Sequence, residues 1–330
     1  MKRIVLIAVT LVIALSLFAD DALVLPKNVF RFRVADSYVS GDEAYNGDGE
    51  AQETNEFSVM NLAFALEYGA TDWITAALQW APGYNFNSDI EPAVGHPKTS
   101  IDGCNGLFAG AKFQLLGTNC PFKNEKFRFA FATGALIPLS FGYDIEAEVE
   151  NVLSGKDFNA QADKNAFGLG GRVYADYVIS DFFFVNLYGE MIKYLPLDAD
   201  KDFQALSYNT YLDKNSIPAS MKPRIEEVDY GYKLTAQFDP HVSYNVSETV
   251  TASFNLPVTY TKTPAVKWDG ETKENSHDSW GLSINPNLCI GLWGLPLPME
   301  FSVSYDISLA GENGLKTNCI TIQWIPYFSF

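Results

Sequence analysis

From residue 230 the chain reads Tyr230-Gly231-Tyr232-Lys233-Leu234-Thr235-Ala236-Gln237-Phe238-Asp239-Pro240-His241-Val242-Ser243-Tyr244. Every even position is apolar, aromatic or Pro, and the odd positions are nearly all polar. After Ser247-Glu248-Thr249 the alternation resumes, with Val250, Ala252, Phe254, Leu256, Val258 and Tyr260 set against Thr251, Ser253, Asn255 and Thr259. Successive side chains of a strand point to opposite faces, so a period of two marks a strand with one apolar and one polar face. A helical stripe repeats at 3.6 and would break such runs within two turns.

The pattern extends in both directions. Downstream it continues through Trp280–Leu292, Leu297–Leu309 and Ile320–Phe330. Upstream it is less clean. Strands are expected near 28–39, 57–68, 73–81, 105–116, 127–141, 166–179, 182–195, 229–246, 250–261, 280–292, 297–309 and 316–330, an even dozen. The connections alternate in length. Gly69–Asp72, Ser180-Asp181, Ser247–Thr249 and Trp293–Pro296 are tight, and 117–126 is of middling length. Long polar stretches lie at 40–56, 82–104, 142–165, 196–228 and 262–279, with a shorter one at 310–315. Short turns at one end and long loops at the other describe a membrane-spanning antiparallel barrel. Aromatics fall at both rims of the apolar face: Trp80, Tyr230, Tyr260 and Trp280 at the loop ends, Tyr68, Tyr177, Tyr244 and Phe328 at the turn ends. A soluble sandwich has no reason to place rings there.

Composition agrees. Hydrophobic residues make up 47% of the 330 residues, too many for a disordered chain. The formal net charge is −17, which would repel phosphate and argues against a nucleic-acid partner. Lys2 and Arg3 precede an apolar run from Ile4 to Phe18, with Ala19 or Ala22 as a small-residue cleavage site. That is the layout of a secretory signal peptide over residues 1–19, shorter than the roughly 20 residues of a spanning helix. Residues 20–330 then form one domain.

On these residues the chain resembles bacterial outer-membrane β-barrel proteins. The last strand, Ile320-Thr321-Ile322-Gln323-Trp324-Ile325-Pro326-Tyr327-Phe328-Ser329-Phe330, looks like the assembly signal of that class, with Trp324, Phe328 and Phe330 as its aromatics. Pro326 departs from the pattern. The resemblance implies outer-membrane localisation, with outer-membrane lipids and the barrel-assembly machinery as partners. It is more distant to FadL-type fatty-acid transporters, which have fourteen strands and an N-terminal plug. Only residues 20–27 precede the first strand here, so no plug is expected.

By parity the inward-facing charges are Arg31, Arg33, Lys112, Arg128, Arg172 and Lys233 against Glu67, Asp176, Glu190, Glu300 and Asp306. They either neutralise one another in a closed lumen or line a water path. The leading expectation is a channel for passive diffusion of small solutes. The alternative is a closed structural barrel whose loops bind partners.

Other candidates carry less. His241 and Ser243 stand two apart on one face, as in outer-membrane phospholipase A, but there the pair faces lipid and here parity turns it inward, so no enzyme is expected. Cys104, Cys120, Cys289 and Cys319 match no metal spacing. Either they are free thiols, or they pair as Cys104 with Cys319 and Cys120 with Cys289. Phe167-Gly168-Leu169-Gly170-Gly171 continues a strand rather than opening a helix, so its glycines make room for bulky lumen neighbours instead of holding phosphate. No cofactor is implied. Finally, the alternation of 127–141 runs on through Asp144-Ile145-Glu146-Ala147-Glu148-Val149-Glu150. A projecting strand would place Asp144, Glu146, Glu148 and Glu150 inward around an acidic extracellular vestibule at roughly 7 Å spacing.

Overall fold

Twelve long strands carry the molecule, and the alternation quoted above runs through their middle sections. They are β1 (Val29–Tyr45), β2 (Ala51–Thr71), β3 (Ile74–Ile90), β4 (Leu107–Gly117), β5 (Phe127–Ile137) and β6 (Gly168–Ser180). The second half contains β7 (Phe183–Tyr194), β8 (Tyr232–Asn245), β9 (Val250–Asn255 continuing as Val258–Thr263), β10 (Ser279–Ile284 continuing as Asn287–Leu292), β11 (Met299–Glu312) and β12 (Gly314–Ser329). The structure, a computed structural model, describes residues 21–90, 97–139 and 141–329. The expected signal peptide, Phe330 and His96 lie outside the described residues. Each strand pairs antiparallel with its chain neighbours, and β12 returns to β1 through Val29↔Ser329, Phe30↔Phe328 and Val34↔Trp324. The sheet is therefore a closed barrel with no free edge in the wall.

Polarity is inverted relative to a water-soluble fold. Leu187, Met191, Phe238, Val303 and Ile322 are about half exposed, while their chain neighbours Asn186, Gln237, Ser302, Ser304 and Thr321 are buried. A wall that turns its apolar side outward and its polar side inward fits a lipid surround. No helix among the described residues is long and apolar enough to cross a membrane; the strands cross. Rim aromatics pair on the outer face, Tyr260 with Trp280 at 6.0 Å and Phe30 with Tyr68 at 4.4 Å between ring centres.

Prolines mark one line around the wall. Pro240, Pro257 and Pro286 stand on β8, β9 and β10 where the ladders between these strands skip two residues without changing register. Each lacks a donor but still accepts: Leu256 N–H from the neighbouring strand bonds Pro240 O at 3.2 Å, Asn285 N–H bonds Pro257 O at 2.9 Å, and Tyr305 N–H bonds Pro286 O at 3.1 Å. Half of each hydrogen-bonded pair survives, so the wall bends and stays closed.

Three expectations are corrected. The stretch 40–56 is no loop: β1 and β2 run on to Tyr45 and Ala51 as a hairpin, turned at Asn46, whose side chain accepts from Asp48 and Glu50 N–H at 2.9 Å. Above the lipid both faces of a strand meet water, so Ala51-Gln52-Glu53-Thr54-Asn55-Glu56 carries no alternation. The stretch 310–315 is likewise a single tight turn at Asn313, whose φ is 52°. The third correction concerns Asp144, Glu146, Glu148 and Glu150. β5 ends at Ile137, before Pro138, and residues Ile145–Leu153 form helix α1. Asp144 is its N-cap, accepting from Ala147 N–H at 3.1 Å, and the acids of the first turn suit the positive end of the helix. Ile145 and Val149 also have helical spacing, so the sequence there supports either period, and Pro138 removes the ladder that would have continued the strand. The helix turns the four acids to different sides. Glu148 accepts from Asn159 N–H at 2.9 Å, Glu150 pairs with Lys214 at 2.5 Å, and Glu146 is exposed.

Candidate functional site

The floor of the barrel, at its short-turn end, is crossed by the chain's own N-terminal segment. Asn28 N–H bonds Gly69 O at 2.8 Å, and from there the segment enters the lumen. Leu25 N–H donates to Thr75 Oγ1 at 2.8 Å, Val24 N–H to Gln114 Oε1 at 3.3 Å, and Ala22 N–H to both Asp176 carboxylate oxygens at 3.1 and 3.2 Å. The Lys112 ammonium donates to the Asp21 carbonyl. Ala22 is fully buried among Ala130, Ala132, Tyr174 and Tyr188. The expectation that no plug fits is therefore overturned. Six residues of chain reach from β2 across to β6, and the small side chain of Ala22 fills the far pocket.

Beside this bar lies a cavity of about 760 Å³ that reaches from Arg172 to the short-turn residues Glu125, Asp181 and Trp293. Arg31, Arg33, Glu67, Lys112, Arg128, Arg172 and Glu300 line it. Asp176, Glu190, Lys233 and Asp306 are buried inside the wall as well. The charges are arranged in pairs: Arg31 with Glu67, Arg33 with Glu67 at 3.5 Å, Arg128 with Asp176 at 3.5 Å, and Arg172 with Glu190 at 2.5 Å. Glu300 accepts from the Tyr327 hydroxyl at 2.8 Å. Pairing is what permits so many ions in a narrow lumen, since an isolated buried charge costs several kcal/mol or more. Neutralised pairs and a cavity between them thus coexist in the lumen.

Arg172 reaches across the lumen from a base that the sequence does not display. Gly110, Gly134 and Gly170 are register partners on β4, β5 and β6. A Cβ at any of them would approach the Phe108 ring to between 2.6 and 2.9 Å. The three glycines leave a flat slot for that ring, and the Arg172 guanidinium lies over it at 4.1 Å. From there Arg172 Nη1 donates to Gln79 Oε1 at 2.6 Å, and Gln79 Nε2 donates to Glu67 at 3.4 Å. This chain of groups runs from β6 to β2 across the lumen. The glycines make room for a bulky neighbour, as expected from the run at 167–171. What the sequence does not display is the register that brings Gly110, Gly134 and Gly170 to one row.

The long-loop end is covered. Leu197, Ala199, Ala205 and Val228 from the connection between β7 and β8 pack on Phe108, Leu136 and Ile192 of the wall. Helix α2 (Phe203–Lys214) lies there, its Phe203 stacked on Phe158 at 5.7 Å and its N-cap Asp202 accepting from Tyr230 Oη. Tyr230 is thereby drawn into the cap instead of the outer belt, and burial beside Asp202 raises its pKa. Asp163 and Lys164 lie beneath the cap. Burial pushes Asp163 up to about 6, and burial with the nearby Lys233 charge lowers Lys164 to about 8. Lys164 sits over the Tyr194 and Tyr230 rings at 4.3 and 4.8 Å.

His241 stacks on Phe184 at 4.5 Å between ring centres, and with Ser243 it lines the cavity. All four cysteines are free thiols, so neither pairing forms. Among the described residues no group of three or more His, Cys, Asp or Glu is placed to hold a metal.

No protein-family model and no curated protein sequence matches the chain. Its structure is similar to an outer membrane channel from Pseudomonas putida, with a TM-score of 0.62, 15% identity, and 94% of this chain and 99% of that one covered. A more distant likeness is to a FadL homologue from Pseudomonas aeruginosa, with a TM-score of 0.39, 12% identity, and 92% and 90% covered. The fold is that of an outer-membrane β-barrel.

Proposed function

We propose that this barrel is an outer-membrane channel for small polar solutes, obstructed in the observed state by residues 21–26 at the floor and covered above by a loop cap that opens as solute passes. The observation that carries this reading is the cavity of about 760 Å³, walled by paired charges and continuous with the plugged floor. A lumen lined by Arg31, Arg33, Lys112, Arg128 and Glu300 offers water and polar solutes favourable contacts and gives an apolar solute little. The short-turn end faces the periplasm in this reading, and the N-terminal segment enters from there. Passage is passive, because nothing in the reading requires an energy source. The acids of the long-loop end, with Glu146 the most available, form a negative rim that salt screens over about 10 Å at 0.1 M. Trp324, Phe328 and Phe330 serve assembly rather than transport.

The test is solute entry into proteoliposomes. The intact chain should admit sugars and amino acids slowly, and a chain lacking residues 21–26 should admit them at least about tenfold faster, with rates falling as solute size grows. A second reading, a closed barrel whose loops bind partners, draws on the same two closures. It predicts no entry with either protein.

A further inference from the structure

The contacts that hold the N-terminal segment are those of a receptor for peptide. Its peptide groups are met by side chains of the wall: Ala22 N–H by Asp176, Val24 N–H by Gln114, Leu25 N–H by Thr75, Lys27 N–H by Asp72 at 3.3 Å, and Asp21 C=O by Lys112. These partners come from the β2–β3 turn, β3, β4 and β6, and the barrel holds them in place without help from the segment. Asp176 is fixed by Asn186 Nδ2 at 2.7 Å and by Arg128 at 3.5 Å. Two side chains of the segment are enclosed, the methyl of Ala22 at 0% exposure and Leu25 at 6%. Leu23, by contrast, is 44% exposed. The floor thus recognises the main chain of a peptide, a small first residue and an apolar fourth residue, and is nearly indifferent to the second.

We propose that the lumen floor is a binding site for short peptides, with residues 21–26 as its resident, exchangeable occupant. This names a substrate class for the channel proposed above and rests on that reading for transport; binding itself does not depend on it. A free peptide whose first residue took the place of Ala22 would bring an ammonium to Asp176, a charge-assisted bond about twice as strong as the amide contact it replaces. Tyr174 and Tyr188 close the pocket around that residue, so Ala, Gly or Ser is favoured there. A tethered occupant competes at an effective concentration in roughly the millimolar range, so the intact chain excludes dilute peptide.

The experiment titrates the chain lacking residues 21–26, in detergent, with the synthetic tetrapeptide Ala-Leu-Val-Leu by calorimetry. The site predicts one peptide per barrel with a Kd on the order of 1 mM or tighter, and no binding to the intact chain at the same concentrations. Asp176→Asn should weaken binding by about tenfold, as should N-methylation of the Val and second Leu amides. Changing the second residue from Leu to Ser should alter it by no more than about threefold, whereas changing the fourth from Leu to Ser should weaken it by about tenfold. Absence of binding, or binding that ignores N-methylation, overturns the site. If the deletion does not yield a folded barrel, Ala22→Glu in the full chain sets a second carboxylate against Asp176, expels the segment, and is titrated in the same way. Peptide binding with no solute entry in the liposome assay would overturn the channel and leave the site standing. Sugar entry without peptide binding would do the reverse.

Discussion

A chain ending at Tyr327 is expected to be exported but never assembled, with folded barrel in the membrane reduced by more than about tenfold. β12 is the closing strand, and its last turns pair with the first residues of β1, Phe328 opposite Phe30 and Ser329 opposite Val29. Losing them leaves main-chain N–H and C=O groups of β1 facing hydrocarbon without partners, at several kcal/mol for each group. It also removes Phe328 from the outer face, along with the terminal Phe330 of the motif that resembles an assembly signal. Trp324, opposite Val34, remains in the shortened strand and does not compensate. The band that migrates differently before and after heating reads the outcome directly. A normal amount of heat-modifiable protein would show that closure does not need the last three residues.

Gly134→Val should cost about 2 kcal/mol or more in a urea titration of the folded barrel and should displace the Phe108 ring from beneath Arg172. The new Cβ alone would lie 2.6 Å from Phe108 Cζ and 2.5 Å from Ala109 O, and the second of these is backbone that cannot move aside. Phe108 has to leave its slot, and Arg172 loses the ring beneath it while remaining paired with Glu190. Gly171→Val, one residue past the row, meets nothing within 4 Å and is the matched control. Equal stability of the two variants would mean that the ring does not need the slot.

The reading of the wall succeeded where the two faces of a strand meet different media. Between lipid and lumen the alternation is enforced at every step, so Asn186, Gln237 and Thr321 on one side and Leu187, Phe238 and Ile322 on the other sort by parity alone. Where both faces meet water the constraint is gone, and the hairpin between Tyr45 and Ala51 reads as loop. At 144–150 the residues fit two periods, and Pro138 with the Asp144 cap decides for the helix. The plug was not legible for a different reason. Its bonds are made by main chain, which every sequence has, to wall residues such as Thr75 and Gln114 that are unremarkable in isolation. Ala22-Leu23-Val24-Leu25 looks like the tail of an apolar leader. The cross-lumen line from Arg172 through Gln79 to Glu67 was hidden too, because β6 and β3 are not neighbours and pairing rules do not reach across the lumen.

The central claim is that a polar path exists and that residues 21–26 block it. Planar-bilayer recording tests this most directly, with the intact chain and the chain lacking residues 21–26 measured in the same salt. The account predicts rare or unresolved steps for the intact protein and discrete, long-lived conductance steps once the segment is gone. A correctly folded barrel without residues 21–26 that remained electrically silent would contradict it.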